Sequence, residues 1–256
     1  MKEGQKLWTK DELILAINLY YKIPFGRMHS SNPDVKKLAS LIRRTPGSVA
    51  YKLVNFASLD PSLQARGIKG ASNASNLDKA IWLEFYTNLE NLAFESEKLL
   101  ATTEHITVEQ LNNIPETELL QEGRTREVLV KLRVNQSFFR KSVLAAYNNT
   151  CCITGLQIPS LLISGHIVPW SVDKKNRLNP RNGIAINALH DKAFENGLMT
   201  ITPDYKIKIS SFLKDQKNND ACGDYFCKYD GKDILLPSKF LPDPEFLKIH
   251  NDNFKG

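Results

Sequence analysis

The chain reads as an α+β protein: a helical N-terminal module followed by a compact unit with the order strand, loop, strand, helix. Three observations predict this class. Apolar residues recur at helical spacing through the first 56 positions, as in Leu13, Ile14, Ala16, Ile17, Tyr20 and Tyr21. Between Leu161 and Gly197 short β-branched runs alternate with Pro169, with Asn182-Gly183 and with a helix-capping Asn187. The third is composition: 256 residues, 42% hydrophobic and 24% charged, are enough to bury one large core or two modest ones.

The helical module is expected over 1–65. Leu7-Trp8-Thr9-Lys10-Asp11-Glu12 opens the first helix, and Pro24-Phe25-Gly26 stops it. Pro33 begins a second helix to Ile42, with Val35, Leu38, Ala39, Leu41 and Ile42 on its apolar side. Thr45 caps a third, with Pro46 at the first helical position and Val49, Ala50, Leu53, Val54 and Phe56 following. The short Arg43-Arg44 connection gives the pair helix-turn-helix order. Residues 66–120 read as a connector, Arg66 to Asn76, small and polar, then one long amphipathic helix, Leu77 to Leu100. That helix can brace the modules or pair with its copy in another subunit.

The second unit is expected over 121–256, with its centre at about 135–211. An apolar helix-like run, Phe138 to Tyr147, ends before Cys151 and Cys152. Leu161 to Trp170 reads as a strand presenting His166 near its end. A basic loop follows, Ser171 to Arg181, with Asp173, Lys174, Lys175, Arg177 and Arg181. Gly183 to Ile186 is a second strand. Asn187 caps a helix from Ala188 to Asn196 with His190 in its first turn and Gly197 as a left-handed stop. Leu198–Thr202 and Tyr205–Ser211 flank Pro203-Asp204 as a hairpin, and Ile234 to Leu247 packs over this unit.

A lone histidine in an apolar strand is more often packing than chemistry. Here two of the five histidines fall in one short segment with an asparagine between them, while His29, His105 and His250 have no such setting. Phosphodiester hydrolysis needs an activated water and positive charge near the scissile phosphate. A neutral imidazole can take the water's proton and a divalent ion can stabilise the developing charge. His166 suits the base, His190 on its rigid helix a metal ligand, and Asn182 a cross-loop amide that keeps the histidines apart.

These residues resemble the HNH endonucleases of the ββα-metal fold, with His166, Asn182 and His190 matching the three letters in order. The likeness is to the restriction-type branch with HIxPW, here His166-Ile167-Val168-Pro169-Trp170, and with NG…LHDxAF from Asn182 onward. It covers about 135–211, starting at NQSFFRKSVLAAY and CCITG, and implies metal-dependent cleavage of DNA. Many HNH enzymes place an aspartate before the first histidine as a metal ligand, where this chain has Gly165. Asp191, Asn187 and Ser164 are the candidates for a second ligand, although Asp191 points roughly 100° from His190 around a helix. A hydrated Mg²⁺ or Mn²⁺ held mainly by His190 is the alternative. The N-terminal helices are similar to Myb/SANT-type domains, which implies that Arg43, Arg44, Ser48, Tyr51, Lys52 and Asn55 meet a duplex.

The net charge of +6 agrees with a polyanionic partner without requiring one. Arg124, Arg126, Lys131, Arg133, Arg140 and Lys141 face a single acid, Glu127, along 124–141, and with Lys174, Lys175, Arg177 and Arg181 give two cationic stretches for phosphate contacts. Cys151-Cys152 and the pair Cys222 and Cys227 do not have structural-zinc spacing, and read as thiols in a reducing cytoplasm. Residues 1–20 lack a leader's apolar core, and no run of ~18 apolar residues suits a membrane span. Cutting both strands of a duplex favours a homodimer. The rival readings are a DNA-binding protein with an inactive HNH fold and a non-catalytic interaction domain.

Overall fold

The computed structural model describes residues 6–68, 70–71, 73–119 and 123–256. Met1–Gln5 at the start of the N-terminal reading, Lys69 and Ser72 of the expected connector, and the side chain of Arg124 lie outside the described residues. The protein is α+β and divides into two compact units, Met1–Lys141 and Ser142–Gly256.

In the first unit the three expected helices form, each with a side-chain cap. Helix α1 (Lys10–Lys22) starts in a capping box: Thr9 Oγ1 accepts from Glu12 N at 3.2 Å and Glu12 accepts from Thr9 N at 2.9 Å. Asn32 caps α2 (Pro33–Leu41), and Thr45 caps α3 (Pro46–Leu59), with a proline at the start of each helix. Asp60 caps α4 (Pro61–Ala65) and accepts the Tyr20 hydroxyl at 2.9 Å. The long helix expected over 77–100 is two helices, α5 (Asn76–Thr87) and α6 (Leu89–Glu104), broken at Asn88 with φ −141° and ψ 48°.

Both pack on α1, so the expected bracing segment belongs to the first unit. Tyr20 and Phe56 from the three-helix module meet Trp82 of α5, and Asn18 donates to Ser96 Oγ and Glu97 Oε1 of α6, each at 2.7 Å. These partners are buried, so α5 and α6 complete the core that the first three helices begin. Helices α7 (Val108–Leu111) and α8 (Arg124–Ala146) follow, and the boundary between the units falls within α8.

The second unit is built on two antiparallel strand pairs. Strand β1 (Leu162–His166) pairs with β2 (Gly183–Asn187), with Leu162 opposite Asn187 and His166 opposite Gly183. Helix α9 (Ala188–Glu195) follows directly, contacts both strands, and ends before Gly197 at φ +68°. Strands β3 (Met199–Ile201) and β4 (Ile207–Ile209) form the predicted hairpin. Helices α10 (Ser211–Asp215), α11 (Asp220–Tyr225) and α12 (Pro244–Asn251) complete the unit. Ile184, Ile186, Phe194, Ile201, Ile207 and Leu247 bury its centre. Cys151 and Cys152 are buried free thiols, and Cys222 and Cys227 are half-buried. Among the described residues no helix is long and apolar enough to cross a membrane.

Candidate active site on the strand, loop, strand, helix unit

Strand β1 is shorter than the apolar run suggests because Asn182 takes over its backbone. Ile167 N donates to Asn182 O at 3.0 Å, and Val168 N donates to Asn182 Oδ1 at 2.8 Å. The same side chain donates through Nδ2 to Val168 O at 3.1 Å and to Asn176 O at 3.3 Å. A fully buried amide thus spans the loop, with its acceptor and its donor both used. Asp173 orders the loop from within, accepting from Lys175 N, Asn176 N and Asn176 Nδ2.

His166 is the last residue of β1. Its Nε2 donates to Arg177 O at 2.8 Å, and a carbonyl can only accept, so the ring's proton sits on Nε2 and its basic lone pair on Nδ1. Burial lowers its pKa, and the Arg177 carbonyl opposes the shift. Trp170 meets the ring edge-on at 5.6 Å, and the Arg177 guanidinium lies over Trp170 at 5.1 Å. The arrangement suits an imidazole that is neutral at neutral pH.

His190 sits where the sequence places it, in the first turn of α9, with both ring nitrogens hydrogen-bonded within the protein. Asn187 Oδ1 accepts from His190 N at 3.0 Å as the helix cap, while Asn187 Nδ2 donates to His190 Nδ1 at 2.7 Å. On the far side Nε2 donates to Tyr225 O at 2.6 Å, and Phe226 and Tyr229 pack edge-on against the ring. A neutral imidazole has one N–H and one ring-nitrogen lone pair, and both are used. Burial lowers its pKa, with the Lys228 charge adding and the Tyr225 carbonyl opposing. Asn187, offered as another ligand, has its amide committed to the same histidine. Ser164 alternates with Gly165 along the strand and so shares the face of His166.

Asp191 faces the other way, toward β1. A Cβ built at Gly165 would lie 2.5 Å from Asp191 Oδ1, so the carboxylate fills the space that a side chain at 165 would occupy. Among the described residues Asp191 has neither a hydrogen bond nor an ion pair, and burial pushes its pKa up to about 6, with Glu195 adding and Lys192 opposing. Among the described residues no three His, Cys, Asp or Glu side chains cluster as a metal site.

The residues assigned to DNA contact divide. In the loop Lys174 and Lys175 are exposed, whereas Arg181 pairs with Asp243 at 3.1 Å and Arg177 donates to Trp170 O. In the first unit Arg43 is exposed at φ +53° and Ser48 is half-buried. Arg44, Lys52 and Asn55, by contrast, are engaged or buried within the unit. Arg44 is spent on Lys6 O, Leu7 O and Glu12, with its guanidinium 4.2 Å from the Trp8 ring. Lys52 is buried and paired with both Asp78 oxygens, and Asn55 is only 2% exposed. A helical position facing the added α5 is packed, and the sequence pattern did not show that α5 would lie there. Lys131 donates to Asn91, Arg133 pairs with Glu118, and Arg140 is half-buried with a partner of its own.

The Asn187 hold on His190 follows an i, i+3 spacing that a capping residue makes readable. The Tyr225 carbonyl had no comparable signal, lying 35 residues further on. No curated protein matches the chain. Residues 151–202, which carry β1, the Asn182-clamped loop, β2, α9 and β3, match the family model for HNH endonucleases.

Proposed function

We propose that the protein is a metal-dependent endonuclease that hydrolyses DNA phosphodiester bonds, a restriction-type enzyme acting in the cytoplasm as a homodimer on double-stranded DNA with Mg²⁺ or Mn²⁺. The observation that carries the reading is His166 at the last position of β1, fixed as the Nε2–H tautomer beside a loop that Asn182 clamps, within the segment matched by the HNH endonuclease model.

His166 Nδ1 takes a proton from the attacking water, and lowered basicity keeps the ring in the acceptor form at neutral pH. Asn182 holds the loop that carries Arg177 O, and so sets the direction in which the imidazole points. Lys174 and Lys175 on the same loop meet phosphate oxygens as charges, which makes affinity fall with salt. A divalent ion, when bound, supplies positive charge to the scissile phosphate and the leaving oxygen. His190 does not fit as its ligand, since its one lone pair accepts from Asn187, whereas the half-buried carboxylate of Asp191 fits a cation.

A plasmid-nicking assay with Mg²⁺ or Mn²⁺ tests the reading. Wild type cuts, and His166→Ala binds DNA with the same salt dependence while cutting at least ~100-fold more slowly, the lower end of what a positioned general base contributes. Salt-dependent DNA binding by a wild type that cuts nothing with either ion would favour a non-catalytic DNA-binding protein instead.

A further inference from the structure

We infer that the carboxylate of Asp191 on helix α9 holds the divalent ion, that Gly165 makes room for it, and that His190 is a positioning residue. The inference rests on the endonuclease reading above and names the ligand within it.

The geometry is specific to Asp191. Its Oδ1 occupies the volume a Cβ at Gly165 would take, 2.5 Å away, with Ile186 Cγ2 and Ile184 Cγ1 of β2 at 3.4 and 3.7 Å from the same point. Any side chain at 165 would displace the carboxylate, so a glycine there and an aspartate at 191 are one arrangement. Side chains alternate along a strand, so position 165 faces α9 while His166 turns to the loop, where its ring meets Arg177 O. The carboxylate and the base therefore flank the same strand end.

Asp191 is half-buried and lacks a partner among the described residues, an uncompensated cost that a divalent cation would offset. The neighbouring acid Glu195 already pairs with Lys192 at 3.1 Å. His190 is held from both sides by Asn187 and Tyr225. Successive helical residues diverge by roughly 100°, so a first turn whose histidine is locked into the 225–229 segment turns its aspartate to the strand. His190 thereby sets the rotation of α9.

The test is Mn²⁺ uptake by the full-length, metal-stripped protein at millimolar concentration, read by electron paramagnetic resonance without DNA. Wild type binds one ion. Asp191→Asn, the same shape without the charge, weakens binding by about tenfold or more and leaves the metal-free melting temperature within a few degrees of wild type. Combining Asp191→Ala with Gly165→Asp places a carboxylate on the strand at the same point and restores uptake. His190→Gln lowers the melting temperature and, in the folded protein, weakens Mn²⁺ uptake by less than Asp191→Asn does. Unchanged affinity in Asp191→Asn, no uptake by wild type, or a loss of affinity in folded His190→Gln as large as that in Asp191→Asn would each overturn the assignment. Plasmid cutting by wild type separates the two readings. Cutting with an Asp191-independent ion removes only this inference, and Asp191-dependent uptake without cutting removes only the nuclease.

Discussion

Asn182 shows how one side chain can hold a site that it does not serve chemically. Its Oδ1 accepts from Val168 N, and its Nδ2 donates to the carbonyls of Val168 and Asn176, the two bonds to Val168 being buried. Asn182→Asp keeps the shape but sets a second acceptor against those two carbonyls. The expected loss is about 2–4 kcal/mol in urea denaturation, from two acceptors stripped of their donor. A variant that unfolds with the wild-type midpoint would show the loop to be held otherwise. The proposed base gives a kinetic counterpart. As the proposed base, His166 must be unprotonated to accept a proton, so cleavage should rise with pH through its pKa, and burial places that rise below the ordinary 6.5. Single-turnover rates between pH 5 and 8 should show an acid limb centred below 6.5, and the limb should vanish in the residual activity of His166→Ala.

Among elements, helix starts were readable because caps are local. Thr9, Asn32, Thr45 and Asn187 each sit a few residues from the amide they accept, so the sequence holds the whole motif. Breaks were harder to read: Asn88 interrupts the 77–100 stretch with neither proline nor glycine to announce it. The faces of α3 were hardest. Lys52 looks like a DNA contact until α5 covers it, and then its ammonium lies 2.8 and 2.9 Å from the two oxygens of a fully buried Asp78. Asp78 also accepts from Ser75 N and so closes the capping box of α5. Asp78→Ala strands a buried ammonium and should cost about 3–5 kcal/mol. Changing both, Lys52→Met with Asp78→Ala, should cost clearly less than Asp78→Ala alone, because no charge is then left unpaired. A double variant as unstable as the sum of the two singles would mean that the pair contributes no coupling.

For the whole molecule, the sequence put His166, Asn182, His190 and Asp191 within one short span, and the fold keeps them in one unit. It could not say which way α9 is rotated, since that depends on Tyr225, Phe226 and Tyr229 arriving from much later in the chain. His250 was equally unreadable and ties the end of the chain to the second unit. Its ring stacks on Phe194 at 3.6 Å, Nε2 donates to Phe194 O, and Nδ1 accepts from Thr200 Oγ1. Burial drives its pKa down from 6.5 to about 4, against the Phe194 carbonyl. The folded ring stays neutral over that window while the unfolded chain takes up a proton, so stability is complete above pH 6.5 and falls as the pH is lowered toward 4. The loss reaches at most about 3–4 kcal/mol, from 1.36 kcal/mol per pH unit over the shift from 6.5 to about 4. Asp191 acts in the opposite sense, because its carboxyl is raised to about 6 and the folded state binds the extra proton on acidification. Comparing wild type with His250→Gln isolates the histidine, since Asp191 is common to both. The amide keeps a donor for the Phe194 carbonyl and does not titrate, so urea midpoints of the variant should decline less between pH 6.5 and 4. Parallel declines in the two proteins would place the acid sensitivity elsewhere.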